Sequence, residues 1–438
     1  MKPSRAKRVG ALLVGLTLVA AACGSDDDSD GAASTDAPDS TEATTEGTAG
    51  GESGDGSCET DGVLVVGTIL PVTGDLAFLG PPEIAGTNMA VEDINAAGGV
   101  LGADVVIEQG DSGDTTTDTA NLEVDRLLAA NADVIVGAAS SAVSKTVIDK
   151  ITGSCVIQFS PANTSPDFTT YEDDGLYFRT APSDLLQGRV LANLVLDDGA
   201  ETASVLFRQE SYGVGLAEAF QENFESNGGT IDEFLPYAVD TESFDAEIDA
   251  LVEAGSDAII VIGFAESASI LTTMNERGIG PADTAVYGVD GNLGIETEMD
   301  DPSILEGMKF TAPGVNLADI TEFTARLDEQ GDMGGVYTYG AETYDAVIIT
   351  ALATAVAGTD DPSAIAAEIN GVTKDGETCT SFEECIALVD AGTDIDYDGL
   401  GGPYDFVDAG EPAAASFRIA TYGADGPDTA ADEYQFAS

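Results

Sequence analysis

Short apolar runs alternate with longer, helix-like segments from residue 63 onward. The first group of runs consists of LVVGTI (64–69), VVIEQG (105–110), VIVGAA (134–139), VIQFS (156–160) and LYFRT (176–180). Such runs indicate strands that are buried on both faces, as in parallel sheets covered by helices. Residues 83–97 predict a helix between the first two strands, because apolar residues recur there at near-helical spacing before a Gly-Gly pair.

The same alternation restarts after residue 200. The second group of runs consists of SVLFRQ (204–209), TIDEFL (230–235), AIIVIG (258–263), TAVYG (284–288) and MKFTA (308–312). Both groups end in similar residues, FRTAP at 178–182 and FTAP at 310–313. We therefore predict an α/β fold with two similar lobes, each a largely parallel sheet sandwiched by helices. The chain is expected to cross between the lobes after each Ala-Pro.

The C-terminal third is expected to divide between the two lobes. Residues 341–358 predict a long helix that returns to the first lobe, and residues 416–423 predict a last strand that completes the second. The third crossing is predicted near 401–406. The predicted lobes are 63–182 plus 312–403 for the first, and 183–311 plus 404–438 for the second. Two lobes joined by three crossovers form a hinge, and a ligand held between them can drive closure.

The first 22 residues have the pattern of a signal peptide. A basic start is followed by a short apolar run at 9–22, which ends in three alanines before Cys23. The run is too short to cross a bilayer as a helix of the mature protein. The AAAC ending resembles a bacterial lipobox, whose cysteine is acylated. We predict that Cys23 is lipidated and anchors the protein to the outer face of the cell membrane; the alternative is plain secretion with cleavage nearby.

Residues 23–62 predict a disordered acidic tether behind the anchor. Residues 24–62 contain twelve Asp or Glu residues, no Lys or Arg, and mostly Ser, Thr, Gly and Ala otherwise. Such a segment buries too little apolar surface to fold, and its charges keep it extended.

Composition excludes several classes of function. The chain has 80 acidic and 15 basic residues, a formal charge of −65, and no histidine. Nucleic acid is a poor partner, because binding a polyanion requires a basic surface. The absence of histidine excludes Ser-His-Asp and Cys-His catalysis and histidine-containing metal sites. We interpret the acidic excess as a solvation device and hypothesise adaptation to high salt, where charge repulsion is screened.

Five cysteines occur in the chain, and one of them, Cys23, is assigned to the lipid. An even remainder outside the cytoplasm indicates disulfides. Cys379 and Cys385 are close enough in sequence to close a small loop, which leaves Cys58 with Cys155. Three pairings are formally possible.

The apolar run at 156–160 stops abruptly in the hydroxyl-rich stretch SPANTS (160–165). Ligands of α/β proteins usually lie at the carboxyl ends of strands. This stretch offers hydroxyls, an amide and backbone N–H groups, but no strong acid, base, nucleophile or metal ligand. It therefore favours reversible binding over catalysis.

Two other segments resemble known motifs but have the wrong residues at key positions. SYGVGLAE has Glu218 where a GxGxxG motif has its third glycine, which argues against a dinucleotide site. Residues 394–405 begin like a calcium-binding loop, but Gly401 replaces the usual aliphatic residue and Pro403 would break the exiting helix. We predict neither a cofactor nor a metal ion, although calcium at 394–405 remains an open alternative.

Four further segments of the chain are informative together: GTNMAVEDINAAGGVLG (86–102), GAASS (137–141), FSPANTSP (159–166) and SYGVGLAEAF (211–220). They resemble type I periplasmic solute-binding proteins, in particular the branched-chain amino-acid (Leu/Ile/Val) group that serves ABC transporters. The resemblance covers residues 60–425 in the same order. It implies two α/β lobes with three crossovers and a ligand in the cleft between them, against the strand ends.

The resemblance also implies how the ligand's α-carboxylate is bound. Ser141 matches a position whose hydroxyl and N–H bind this group. Ala162 and Thr164 match positions where a backbone carbonyl and a second hydroxyl contact the α-amino and carboxylate groups. Taken on the residues alone, Ser141 and Thr164 have a simpler alternative role as helix caps.

The remaining implied contacts come from both lobes. Tyr212 matches an aromatic hydroxyl of the second lobe, and Asp290 matches an acid that pairs with the ligand's ammonium. Phe78 matches an aromatic position over the side-chain pocket, and Phe264 is its expected counterpart across the cleft. By composition alone Asp290 would be a solvated loop residue, and the two phenylalanines would be core residues.

We conclude from the sequence that the protein is not an enzyme. The prediction is a lipid-anchored, monomeric substrate-binding protein that captures a small amino acid or related amide by hinge closure and delivers it to an ABC permease. One alternative is a receptor that signals rather than transports. A second is a hydrolase that uses a carboxylate pair in the cleft, although no base, nucleophile and orienting partner converge in the predicted loops.

Overall fold

The computed structural model describes residues 58, 60–423, 426–427 and 432–438. The first group of apolar runs forms a sheet together with three connecting helices. In chain order these elements are β1 (Val65–Ile69), α1 (Gly80–Ala96), β2 (Val106–Glu108), α2 (Thr119–Ala129), β3 (Val134–Gly137), α3 (Ser141–Thr152), β4 (Ile157–Ser160) and β5 (Tyr177–Arg179). The strands are all parallel, in the order β2-β1-β3-β4-β5. The carboxyl ends of these strands therefore lie along one edge.

The second group of runs forms a second parallel sheet after the first crossover. Its elements are α4 (Asp184–Asp197), β6 (Thr202–Arg208), α5 (Ser211–Ser226), β7 (Thr230–Tyr237), α6 (Asp245–Ala254), β8 (Ala258–Ile262), α7 (Ser267–Glu276), β9 (Ala285–Val289) and β10 (Lys309–Pro313). These strands lie in the order β10-β9-β8-β6-β7 and are all parallel. Every residue of β8 is buried, as its uninterrupted apolar sequence predicts.

The C-terminal third contributes to both lobes. Its elements are α8 (Thr321–Gln330), α9 (Gly340–Ala357), α10 (Pro362–Ile369), β11 (Glu377–Cys379), α11 (Phe382–Asp390), β12 (Ile395–Gly399), β13 (Gly402–Pro403), β14 (Ala415–Gly423), β15 (Gly426–Pro427) and β16 (Glu433–Ala437). Strand β14 pairs antiparallel with β10 and completes the second sheet. Strands β15 and β16, which were not predicted, both pair with β14. The predicted fold class is confirmed, whereas the residue bounds of the lobes remain a prediction.

Helix α9 packs on the first lobe, as predicted for the segment from 341. It is buried almost all round, and α1, α10 and α11 lie against it. A Cβ at Gly86 would overlap the carbonyl oxygen of Gly340, so the close approach of α1 to α9 requires a glycine at position 86. This packing brings the residues just before α9 towards the strand ends of the first sheet.

The calcium-like segment 394–405 forms the hairpin of β12 and β13. Its turn is fastened to Asp345 of α9, which accepts hydrogen bonds from the N–H groups of Leu400 (3.1 Å) and Gly401 (2.7 Å) and from the hydroxyls of Tyr397 (2.6 Å) and Tyr404 (2.7 Å). Among the residues described, no group of three or more His, Cys, Asp or Glu side chains is arranged to hold a metal ion.

Two disulfides are present. Cys58 is joined to Cys155 with their Cα atoms 5.9 Å apart, and Cys379 is joined to Cys385 at 5.3 Å. The signal peptide, Cys23 and most of the predicted tether lie outside the described residues. The described end of the tether is attached to the first lobe, because the N–H groups of Asp61 and Gly62 both donate to Asp360 at 2.7 Å. In the part of the chain that the structure describes, no helix is long and apolar enough to span a membrane.

Candidate ligand-binding site

The loops after β3 and β4 are tied together at the edge of the first sheet. The hydroxyl of Ser160 donates to the carbonyl of Ala138 (2.8 Å) and accepts from the N–H of Asn163 (2.9 Å). The Asn163 amide donates in turn to the carbonyls of Ala138 (3.0 Å) and Ala139 (2.8 Å). Polar side chains thus fix the position of both loops, including the stretch that carries Ala162 and Thr164.

The two hydroxyls predicted to bind a carboxylate are not helix caps. Ser140, rather than Ser141, is the N-cap of α3, and Ser165 caps the short helical turn Pro166–Thr170. Ser141 is the buried first residue of α3, and its Oγ accepts a long hydrogen bond (3.4 Å) from the N–H of Ser165. The hydroxyl of Thr164 is buried without a hydrogen-bond partner among the described residues. The capping alternative for these residues therefore does not apply.

Asp290 is buried at the end of β9 and receives donors from three separate elements. Its Oδ1 accepts from the Tyr212 hydroxyl of α5 (2.9 Å) and from the Gln187 amide of α4 (3.0 Å). Its Oδ2 accepts from the hydroxyl of Tyr339, just before α9 (2.7 Å). Burial raises the pKa of the Asp290 carboxyl, while the three hydrogen bonds act in the opposite direction. The charged form is therefore partly stabilised by fixed neutral donors.

A second carboxylate, that of Asp184, lies near Asp290. Asp184 begins α4, one turn before Gln187, and both of its carboxylate oxygens are buried with no hydrogen-bond partner in the described chain. Burial, and after it the charge of Asp290, raises its pKa well above the usual value. The nearby Thr164 hydroxyl favours the charged form but does not reach hydrogen-bonding geometry. The four carboxylate oxygens of Asp290 and Asp184 therefore outnumber the three donors that reach them in the described chain.

Aromatic rings line the second-lobe side. The ring of Tyr212 stacks on Phe264 with centroids 5.3 Å apart, and the guanidinium of Arg208 lies 4.7 Å above the Phe264 ring. Arg208 pairs with Glu266 (2.8 Å) in its own lobe and with Asp75 (2.6 Å) of the first lobe. This ion pair joins the lobes at the mouth of the cleft.

Phe78 is more exposed than Leu76 and Leu79 and packs against the same apolar cluster as they do. It is half-buried in the turn Ala77–Leu79 and lies against Gly294 of the second lobe. Leu76 and Leu79 are buried in the apolar cluster that also contains both rings of the stack; its other members from the cleft loops are Ala139, Ala162 and Tyr339. Phe78 and the leucines on either side of it therefore contribute to one apolar wall, and contact of Phe78 with a ligand stays a prediction.

The lobes are closed on each other. Ser165, next to Thr164, is 2.8 Å from Ser211, next to Tyr212, measured between hydroxyl oxygens. A pocket beside Ser140, Arg208 and Phe264 has about 10 Å³ of free space, roughly the room for one water. The loop that carries Thr164 therefore contacts the start of α5, which carries Tyr212.

Three residues of this site were not predicted from the sequence. Asp184 and Gln187 are spaced by one helical turn directly after the first crossover, and that spacing was a usable signal. Tyr339 precedes a predicted helix and adopts a left-handed backbone (φ 64°), which is uncommon for a residue other than glycine. Nothing local in the sequence indicates that its hydroxyl reaches Asp290.

Comparisons with known proteins give one consistent result. The sequence profile of the periplasmic binding protein family matches residues 64–427. The chain is 29% identical over 371 residues to the chemotactic signal transduction system substrate-binding protein BasB of Halobacterium salinarum, covering 80% of this chain and 84% of that one. It is 29% identical over 306 residues to the leucine-, isoleucine-, valine-, threonine- and alanine-binding protein of Pseudomonas aeruginosa, covering 68% and 79%. The crystal structure of a leucine-binding protein LivK from Thermotoga maritima superposes with a TM-score of 0.71 at 21% identity, covering 86% of this chain and 99% of that one.

Proposed function

This chain belongs to the periplasmic binding protein family, and we propose that it is a lipid-anchored, extracytoplasmic substrate-binding protein of an ABC importer. In this proposal it captures a small amino acid, branched-chain or similar, or a related amide in the cleft between the lobes. Ligand binding stabilises the closed form, which a permease recognises.

The observation that carries the proposal is the pair of buried carboxylates, Asp290 and Asp184. Asp290 is held by three neutral donors, and Asp184 has no hydrogen-bond partner in the described chain. Buried negative charge is costly unless a positive group compensates it. An ammonium supplies one positive charge and three donors. A ligand with an α-ammonium would therefore satisfy acceptors that the protein leaves unpaired.

The other end of the ligand would meet Ser141 and Thr164. Both hydroxyls are buried and free of capping roles, and Ser141 begins α3. The first N–H groups of a helix lack intrahelical partners, and the helix dipole favours negative charge there. A carboxylate can be bound at such a position without a cation. Together with Asp290 and Asp184, this arrangement is complementary to a zwitterion.

The apolar cluster supports an uncharged ligand side chain. Leu76, Leu79, Tyr212 and Phe264 are buried together between the lobes. Apolar surface removed from water contributes about 25 cal/mol per Å². Two of the similar proteins are named for branched-chain ligands, which agrees with such a wall. We propose no catalytic role, because the site offers fixed donors and acceptors and no nucleophile activated by a base.

We base the proposed location and assembly on the sequence. Acylation of Cys23 would anchor the chain, and the acidic segment 23–62 would hold the body away from the anionic membrane surface. The high negative charge of the chain disfavours self-association, and we propose a monomer.

A second candidate is a receptor that passes ligand binding to a signalling partner. One observation favours it: the similarity to BasB, a protein named for chemotactic signal transduction. The site would be the same, and only the partner of the closed form would differ. Neighbouring genes that encode permease subunits support transport, and neighbouring genes for a chemotaxis transducer support signalling.

Isothermal titration of the protein with the twenty amino acids, urea and short amides tests the proposed ligand class. We expect saturable binding of at least one zwitterionic amino acid. Asp290→Asn should reduce that affinity by about a hundredfold or more, since hydrogen bonds to charged groups are among the strongest. Asp198→Asn is the matched control, because Asp198 binds Tyr287 and Lys309 outside the cleft. Equal affinities for wild type and Asp290→Asn would contradict the proposal.

A further inference from the structure

One buried arginine, Arg179, contacts the backbone of the loop that carries Thr164. Arg179 is the last residue of β5 and is fully buried. Its Nη1 donates to the carbonyls of Asn163 (3.0 Å) and Ser165 (2.8 Å), and its Nη2 donates to the hydroxyl of Thr169 (3.1 Å). The two carbonyls flank Thr164 on either side. Arg179 therefore holds the peptide group that precedes Thr164 and the one that follows Ser165, which fixes the backbone around a proposed ligand contact.

The same guanidinium is paired with Glu411, which lies in the segment 404–414 between β13 and β14; this segment leads to the second sheet, continues past the predicted crossing near 401–406 and is taken as the third crossover. Its Nε donates to Glu411 Oε2 at 2.9 Å, and the Thr169 hydroxyl is 3.1 Å from both Glu411 oxygens. The backbone N–H of Arg179 also donates to the carbonyl of Gly410 (2.9 Å). The start of the first crossover and the third crossover are thus held side by side, with the loop of Thr164 attached to both.

Stability alone does not account for this pair. Replacing a buried ion pair by apolar residues of similar volume is often neutral or stabilising. An arginine does provide something that an apolar residue or a lysine does not: a planar set of donors that can bind two carbonyls and a carboxylate at the same time.

We propose that Arg179 is a positioning residue for ligand binding, which sets the placement of Thr164 and couples it to the hinge through Glu411. The inference rests on the proposed function, because it requires Thr164 to contact the ligand. It assigns a binding role to two residues that do not touch the ligand themselves. The Arg179–Glu411 pair connects the loop of Thr164 to the third crossover, so a change in the path of that crossover would reach the ligand loop through this pair.

The test uses Arg179→Lys and Glu411→Gln, both of which keep a polar side chain of nearly the original size. The matched control is Arg418→Lys, because Arg418 forms a comparably buried pair with Asp432 (2.7 Å, side chains 14% and 8% exposed) in the second lobe, away from the loop. Two quantities are measured: hydrogen exchange of a peptide spanning 160–170 in ligand-free protein, and the affinity for the amino acid that the wild type binds.

We expect Arg179→Lys and Glu411→Gln to speed exchange in that peptide and to weaken binding by about tenfold. Arg418→Lys should lower the melting temperature without either effect. The combination of Arg179→Lys with Thr164→Val should be no weaker than Thr164→Val alone, because Arg179 acts through Thr164. A purely structural arginine would not give this non-additivity.

Several results would overturn the inference. Unchanged exchange and affinity in both Arg179→Lys and Glu411→Gln would do so, as would losses that multiply in the double variant. If Arg179→Lys fails to fold, Glu411→Gln still decides both readouts. If the wild type binds none of the amino acids, the proposed function fails and the role in binding is rejected with it, whereas faster exchange in the variants would still show that Arg179 holds the loop.

Discussion

The hydroxyl of Tyr339 donates a 2.7 Å hydrogen bond to Oδ2 of Asp290, and this bond joins the two lobes across the cleft. Tyr339 precedes α9, which packs on the first lobe, and Asp290 follows β9 in the second. The carboxylate proposed to bind the ligand therefore also holds the closed form together. Closure of the lobes and the proposed binding of the ligand thus both use the carboxylate of Asp290 as hydrogen-bond acceptor.

Replacing Tyr339 by phenylalanine should weaken ligand binding by about tenfold. A hydrogen bond to a charged group contributes roughly 1.5 to 3 kcal/mol, and its loss leaves Asp290 short of a donor. Tyr337→Phe is the control, because the Tyr337 hydroxyl donates to the exposed Asp328 (2.9 Å) on the surface. Titration calorimetry of the three proteins measures the effect. Equal losses in both variants would contradict the role of this bond.

Replacing Asp184 by asparagine should separate stability from binding. Folding must either bury the charge of Asp184 without a partner in the described chain or protonate the carboxyl, and asparagine avoids both costs, so we expect the ligand-free protein to gain about 1 kcal/mol in its free energy of unfolding. Ligand affinity should fall, because the ammonium loses one of its two carboxylates.

Asp245→Asn is the matched control for Asp184→Asn. Asp245 also begins a helix, but it is exposed and pairs with Arg277 on the surface. Thermal melts with and without ligand should show little change for this variant. Tighter ligand binding by Asp184→Asn would be inconsistent with the proposed contact.

The ligand-free protein should be more stable near pH 6 than near pH 8. Burial raises the pKa of Glu342 to about 7 and that of Asp133 to about 7, and it raises the pKa of Glu83 well above its usual value. An acid whose pKa is higher in the folded than in the unfolded state binds protons more strongly when folded. Its contribution to stability is therefore lost as the pH rises through the folded pKa.

Glu342 alone should account for about 1 kcal/mol between about pH 8 and about pH 6. Glu342→Gln should flatten the pH profile of denaturant unfolding by that amount. The measurement should be made in about 1 M salt. Surface acids also gain protons as the pH falls, and screening their mutual repulsion reduces the contribution of those protons to the pH profile. A profile that is equally steep in both proteins would exclude Glu342 as its source.

Molar salt should raise the unfolding midpoint. The formal charge of −65 destabilises the compact state by repulsion, and the Debye length falls from about 10 Å at about 0.1 M to about 3 Å at about 1 M. Melts in increasing KCl, compared with sucrose as a non-ionic control, measure this effect. A midpoint that stays constant or falls with KCl would argue against salt adaptation.

The sequence predicted the strands and helices well because each carries a local signal. The apolar run at 258–263 became the fully buried β8, and the segment from 341 became α9. Strand β16, with the sequence EYQFA, alternates only weakly between buried and exposed positions and was missed. It is strand because β14 offers it an antiparallel partner, which is a tertiary cause.

The candidate site was only partly predictable, because several of its contacts also depend on tertiary structure. Asp290 and Tyr212 were predicted from a resemblance, and in the structure the Tyr212 hydroxyl donates to Oδ1 of Asp290 at 2.9 Å. Asp184, Arg179 and Tyr339 were missed, because each acquires its partners from a distant part of the chain.

By itself, the sequence determined the class of fold, the exclusion of histidine chemistry and the acidic character of the surface, since these depend on composition and on local periodicity. Only the tertiary structure decided which acids are buried and which donors reach them. Eighty acidic residues are alike in sequence; folding buries some of them, and only the contacts with distant residues distinguish Asp290 and Asp184 from the other buried acids. The free energy of a charge depends on its solvation and on neighbours that folding brings together, which no local pattern encodes.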